Sequence, residues 1–201
     1  MDNKDNNNKD NKDNKDNKKR YKAKEIKNVY SRSLITKSIC LPITAIGKNL
    51  DKTIENTIIV AVEGKCIVEG YVKQKSVKII TYSSGIIRGD MIVFEIVYEC
   101  EICFPVAGMK LSCVAKNITK AGIRAESAES QGEPSPFVLF VARDHYFSNE
   151  YFNSIKENDT FTAKVIAQRF ELNDKYISII AEISLPKETF AKSTSKPRLV
   201  L

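Results

Sequence analysis

The sequence predicts a mostly β (α+β) chain made of two small modules in tandem, and three observations carry that prediction. A single helix-period stripe, Leu50, Ile54, Ile58 and Val62, recurs every four residues among strand-like runs. The long apolar run Asp90–Cys103 stops at a Phe104-Pro105 break. Beyond that break lie five short strand candidates with almost no helical pattern. The modules are therefore assigned to residues 29–104 and 105–186, the second starting its first strand at about Met109.

Residues 1–22 repeat Asn-Lys-Asp with a period of three and hold no apolar side chain except Met1 and Tyr21. Nothing there can be buried to offset the entropy of ordering, which predicts a disordered leader over 1–28. Ser33–Leu41 reads as a first strand ended by Pro42, and the apolar stripe sets a helix from about Lys48 to Glu63 with Gly64 as its stop. Strand candidates Cys66–Val72, Ser76–Ser83 and Asp90–Cys103 follow, with Ser83-Ser84-Gly85 and Arg88-Gly89-Asp90 as turns between the last two. The first module is thus β-α-β-β-β, a helix on a small antiparallel sheet. In the second module the strands are Met109–Asn117, Gly122–Glu126, Phe137–Val141, Thr160–Ala167 and Tyr176–Ile183. Ser148–Ile155 can form one or two helical turns between the third and fourth, the order an OB-type five-stranded barrel requires. Residues 187–201 read as a flexible tail.

The chain of 201 residues is 42% hydrophobic, enough for a globular core. No apolar run reaches the ~18–20 residues that span a bilayer. The polar N-terminus lacks the apolar centre of a secretory signal, so an intracellular protein is expected. Five cysteines, Cys40, Cys66, Cys100, Cys103 and Cys113, are an odd number and are expected as free thiols. Of the net charge of +7, residues 1–22 carry +3 and residues 187–201 another +3, leaving +1 for the body. Nucleic-acid binding by the body must then come from a local patch, not a global field.

One such patch is visible. Lys110, Lys116, Lys120 and Arg124 fall in a 15-residue stretch without an acid. Strand alternation puts Lys110 and Lys116 on one face, with Lys120 in the turn before Arg124. Cations without competing carboxylates suit phosphates, although a solvated barrel face would look the same. Ala142–Phe147 (ARDHYF) brings Arg143, the one histidine, His145, and two aromatics to the end of the third strand, where Tyr146 or Phe147 could stack on a base. The alternative is a core Phe147 with Arg143 and Asp144 as a local ion pair. Arg169 and Lys175 flank the last hairpin, diluted by Glu171 and Asp174.

Cys100-Glu-Ile-Cys103 is a CxxC, but it lies in or just after a strand, with no helix to lower a thiol pKa and no second metal-like spacing. Buried, inert thiols are expected, and neither metal nor cofactor. A catalytic triad would have to use His145, and a neighbouring Asp144 in a strand would point to the opposite face. GIIRGD lacks the lysine and spacing of a phosphate-binding loop. No active site is expected.

Several segments resemble a known family. VEGKC at Val62–Cys66, GYV at Gly70–Val72, FPV-G at Phe104–Gly108 and the turn-strand-His pattern ending at His145 are similar to the stalk subunit of multisubunit RNA polymerases. That family includes the seventh subunit of eukaryotic RNA polymerase II and its archaeal counterpart. KNITKAGIRAE (Lys116–Glu126) and QRFELNDKYISII (Gln168–Ile180) look closest to the versions of large cytoplasmic DNA viruses. The resemblance covers about residues 30–185. It implies a truncated RNP-like tip domain that docks on the polymerase core, here through Gly64, Lys65, Gly70 and Tyr71. It also implies a C-terminal S1 domain of the OB class contacting nascent single-stranded RNA, a fourth-subunit-like partner gripping both domains, and no catalytic role. His145 falls where S1 domains often meet RNA. One departure is Ile123, at a second-strand position where S1 domains usually offer a stacking aromatic.

The expected function is a non-catalytic polymerase stalk subunit that guides emerging RNA. If it is viral, the host cytoplasm and the virion are its expected places, and a nuclear polymerase is also compatible. A free-standing S1-type RNA-binding factor in translation or RNA decay is the alternative, and a thiol or metal enzyme using Cys100 and Cys103 a third. A body charge of +1 neutralises few phosphates, so the slope of log K against log[salt] for RNA binding should be no steeper than about −4, as a salt titration of affinity will measure.

Overall fold

The computed structural model describes residues 29–130, 132–146 and 149–184, so the expected leader over 1–28 and tail over 187–201 lie outside the described residues. In chain order the first module holds β1 (Tyr30–Pro42), a 3-10 turn (Ile43–Ala45), α1 (Leu50–Val62), β2 (Cys66–Ile67), β3 (Gly70–Val72), β4 (Lys78–Tyr82), β5 (Ile86–Arg88) and β6 (Met91–Cys103). The second holds β7 (Lys110–Ile118), β8 (Gly122–Ser127), β9 (Phe137–Ala142), a 3-10 turn (Arg143–His145), α2 (Glu150–Ser154), β10 (Thr160–Arg169) and β11 (Ile177–Ile183).

Strand β6 alternates strictly. Phe94, Ile96, Tyr98, Cys100 and Ile102 are buried on one face, under the α1 stripe of Ile54, Ile58 and Val62. One edge of β6 pairs with all of β1, from Tyr30↔Cys103 to Pro42↔Met91. The other edge takes β5, β4 and β3 in turn. The helix ends where the stripe ends, and Gly64 follows at φ +68.

Two expectations for this module change. Cys66–Val72 is not one strand but a tight hairpin, with Cys66 opposite Tyr71 and Ile67 opposite Gly70. Gly70 sits at φ +130, and a Cβ there would meet the Cys103 carbonyl oxygen at 2.5 Å, so only glycine lets β3 lie against the end of β6. Ile86–Arg88, which lies between the two expected turns and shares Arg88 with the second, pairs with β6 as a short edge strand.

The second module is a closed barrel of order β10-β11-β9-β8-β7, antiparallel except for the parallel β9–β11 pair. This is OB-type connectivity, and α2 fills the crossover from β9 to β10 that the parallel pair demands. Phe137, Leu139 and Val141 alternate into the barrel with Ile177, Ile179 and Leu111, each worth ~1.5–3 kcal/mol when buried. Bulges at Lys116 and Ile166 bend β7 and β10 around the closure. Gly122 is required where β8 crosses β9: at φ +156, a Cβ would meet the Val141 carbonyl oxygen at 2.1 Å.

The modules share a core. Val29, Cys66, Tyr71 and Cys103 of the first belong to the same buried cluster as the barrel interior. Phe104 rests edge-on against Phe170 at 6.1 Å, and the linker is laced to β10 by Gly108 N–H donating to Val165 O and Val165 N–H donating to Met109 O. The β10–β11 loop pairs with β2: Cys66 N–H donates to Asp174 O at 2.8 Å and Asn173 N–H to Cys66 O at 2.9 Å.

All five cysteines are free, and only Cys40 is exposed. The CxxC spacing is odd along a strand, so Cys100 packs under α1 while Cys103 faces the barrel cluster, and the two thiols cannot act together. Burial pushes the Cys66 and Cys100 thiols up to about 11 and those of Cys103 and Cys113 up to about 12. A folded pKa above the unfolded value means this stability is whole below pH 9.0 and is lost as pH rises toward 11–12. Unfolding free energies from denaturant titrations should therefore hold to about pH 8.5 and then fall, by up to about 1.4 kcal/mol per thiol per pH unit, with Cys113→Ala making the decline shallower and the midpoint moving with it. A midpoint unchanged up to pH 10.5 would contradict this burial of the thiols.

Candidate nucleic-acid interface

The outer wall of the barrel carries a transverse row set by strand register. Arg124 on β8 stands opposite Phe140 on β9, Phe140 opposite Ile180 on β11, and Ile180 opposite Ala167 on β10. These large side chains face solvent: Phe140 is 37% exposed, Ile180 56% and the neighbouring Tyr176 43%. With Arg169 they line a groove of about 360 Å³. The arrangement is an aromatic and aliphatic floor with an arginine at either end. Single-stranded nucleic acid suits such a floor, because every base has a π-face to stack and each phosphate needs a cation.

Both arginines also have acids nearby. Arg124 is 3.9 Å from Glu126 and Arg169 is 2.9 Å from Glu171, but all four side chains are solvated or half-solvated. Such pairs are worth ~0–1 kcal/mol and give way readily to a phosphate.

Of the nine residues expected to meet RNA, Arg124 lies in this row and the other eight fall at two ends of the wall. Lys116, the bulged residue of β7, and Lys120, in the β7–β8 turn, are exposed near the rim that also carries Arg143, His145 and Tyr146. Lys110, Arg169 and Lys175 lie at the other end, beside the first module. Lys110 and Lys116 do both face outward, yet six residues of strand separate them by ~20 Å, so they cannot grip one phosphate.

Arg143 and Tyr146 are committed within the fold. The Arg143 guanidinium donates to Thr119 O at 3.2 Å and Asn153 Oδ1 at 3.3 Å, and lies over the Phe152 ring. Tyr146 stacks on Phe152 at 5.2 Å with rings nearly parallel, and its Oη accepts from Ile183 N–H at 2.8 Å. Both fasten the β9–α2 corner to the barrel. His145 remains exposed, on a 3-10 turn rather than a strand end, so alternation does not separate it from Asp144, which is exposed as well. Phe147 lies outside the described residues.

Ile123 is fully buried in the barrel core, not on its outer wall. The position is therefore not a vacated stacking platform, and the outward neighbour of that row is Arg124, with Phe140 across from it. Sequence reasoning missed Phe140, Tyr176 and Ile180 because FVLFVA and KYISII read as uniform core strands. Their alternate residues were the signal.

The four residues expected to dock on a polymerase are at the seam between the modules. Gly64 N–H donates to Val72 O at 2.9 Å, and Lys65 Nζ reaches back to Val60 O at 2.8 Å. Gly70 is buried and Tyr71 is a core residue, its hydroxyl pKa raised by burial, so its ring offers no surface to a partner. Solvent-facing apolar side chains lie at both ends of the sheet: Val68, in the β2–β3 hairpin at the seam, is 74% exposed, and a second group lies at the opposite end. Ile86 and Ile87 are 60% and 69% exposed, and Ile43 joins them because its N–H donates to Asp90 O. Twelve residue steps along β6 put this end ~40 Å from the seam.

Among the described residues, no three His, Cys, Asp or Glu side chains are grouped as metal ligands would be, and no helix is long and apolar enough to cross a membrane. No family model matches the chain. It is similar to a protein of Acanthamoeba polyphaga mimivirus named as a DNA-directed RNA polymerase subunit, with 26% identity over 165 residues that span 77% of this chain and 81% of that protein.

Proposed function

We propose that this chain is the stalk subunit of a DNA-directed RNA polymerase, docking by the far end of its first module and contacting emerging RNA with the outer wall of its barrel. The observation that carries the reading is the reach of the similarity. A match of 165 residues is longer than either module, so the relation to a polymerase subunit belongs to the two-module architecture and not to a barrel alone. The barrel's exposed aromatic row, flanked by Arg124 and Arg169, supports single-stranded RNA as its ligand. The exposed Ile43, Ile86 and Ile87 support docking at the far end, where burying isolated aliphatic surface on a partner is favourable. In this role the subunit does no chemistry itself; it positions.

Affinity purification of the tagged protein from its native setting, followed by mass spectrometry, tests the assignment. The two largest polymerase subunits should be recovered in near-stoichiometric amounts, and an Ile86→Glu, Ile87→Glu variant should lose them while keeping its melting temperature. Phe140→Ala should keep the polymerase but bind single-stranded RNA ~5- to 150-fold more weakly, the loss of about one stacked base. Recovery of ribosomal or RNA-decay proteins without polymerase would instead make the chain a free-standing RNA-binding factor.

A further inference from the structure

The cationic end of the barrel wall is not supported by the barrel alone. Residues 171–176 of the β10–β11 loop are all exposed, and only short local bonds hold them to one another: Glu171 N–H to the Asp174 carboxylate at 2.7 Å and Asp174 N–H to Glu171 O at 3.2 Å. An exposed loop of this kind, with few buried contacts, ordinarily opens easily. Here two further backbone bonds leave the loop and end on Cys66, a buried residue of the first module. Asn173 makes this possible by taking φ +69, a left-handed turn that asparagine tolerates better than most side chains. Phe170, at the start of the loop, packs on the shared cluster and against Phe104.

We propose that the first module clamps this loop, through Cys66 and Asn173–Asp174, in the position from which Lys175 serves the RNA groove beside Arg169, which β10 itself holds by pairing with Ser178. Asn173 is thus a positioning residue, and the RNA site is built by both modules. The inference rests on the reading that the barrel wall binds RNA. It also explains why β2, only two residues long, is kept as a strand: its free edge is the clamp. Displacement of the β2–β3 hairpin would move Lys175 away from Arg169, which stays in the β10–β11 ladder.

The test uses the full chain and a labelled oligouridylate of about 20 nucleotides, long enough for more than one barrel-sized site, with affinity read by fluorescence anisotropy over a salt series. Asn173→Ala disfavours the left-handed turn and should weaken binding about 5- to 10-fold. It should also make the salt slope shallower by about 0.7, the share of one cation on a single strand. Asn173→Gly, which adopts that turn freely, should restore both values. A merely destabilised fold would not change the slope of the folded fraction. Lys175→Ala should give the same slope change, and adding Asn173→Ala to it should change nothing more. Cys66→Pro removes the donor from the other side and should reproduce Asn173→Ala.

Folded Asn173→Ala and Cys66→Pro variants that bind with the wild-type slope would overturn the clamp. If neither variant folds, hydrogen exchange on the wild type decides: protected Cys66 and Asn173 amides are expected, and unprotected ones overturn it. Absence of any RNA binding by the wild type would sink the RNA reading itself, a separate outcome.

Discussion

Strand β6 has no free edge, and most of the structure depends on that. It is bonded along one side by β1 over thirteen residue pairs and along the other by three short strands in succession. Because consecutive strand residues point to opposite faces, its last two, Ile102 and Cys103, face different cores. Ile102 completes the layer under α1, and Cys103 enters the cluster that continues into the barrel. This strand end joins the two hydrophobic cores together with β2 and β3, where Cys66 and Tyr71 enter the barrel cluster and Val72 the layer under α1. The odd spacing of Cys100 and Cys103 has the same cause, and a pair that looks like a redox motif in one dimension is divided between two layers in three.

Much of the fold was legible because its elements obey simple periods. The four-residue stripe of α1 and the five barrel strands were readable to within one to three residues, since each is amphipathic on a plain background. The β2–β3 hairpin was not, because Val68-Glu69 carries no turn signal and the only cue, Gly70, comes after the reversal. The site was less legible than the fold. Charge and aromaticity can be read from residue names, but whether a side chain is already engaged cannot. Arg143 and Tyr146 have the composition of RNA contacts and are used as fasteners. Phe140 has the composition of a core residue and faces solvent, because an even step from Val138 keeps it on the outer wall.

The electrostatics of the described residues are those of a guide more than of a trap. The arginines beside the groove have acids within 4 Å, and the cations are divided between its two ends. On the proposed RNA reading, what such a wall offers a strand is a stacking floor with exchangeable ion pairs. Sequence-tolerant, salt-moderate contact follows from that chemistry without any base-edge readout.

The continuous core between modules makes the molecule a lever. The apolar end of the sheet and the seam are ~40 Å apart along a strand paired on both sides. In the proposed docking at Ile86 and Ile87, a tilt of about 5° there carries the seam through roughly 3–4 Å, more than the length of a hydrogen bond. On that reading the docking contact aims the barrel, and a small error there becomes a large one where the proposed RNA strand passes.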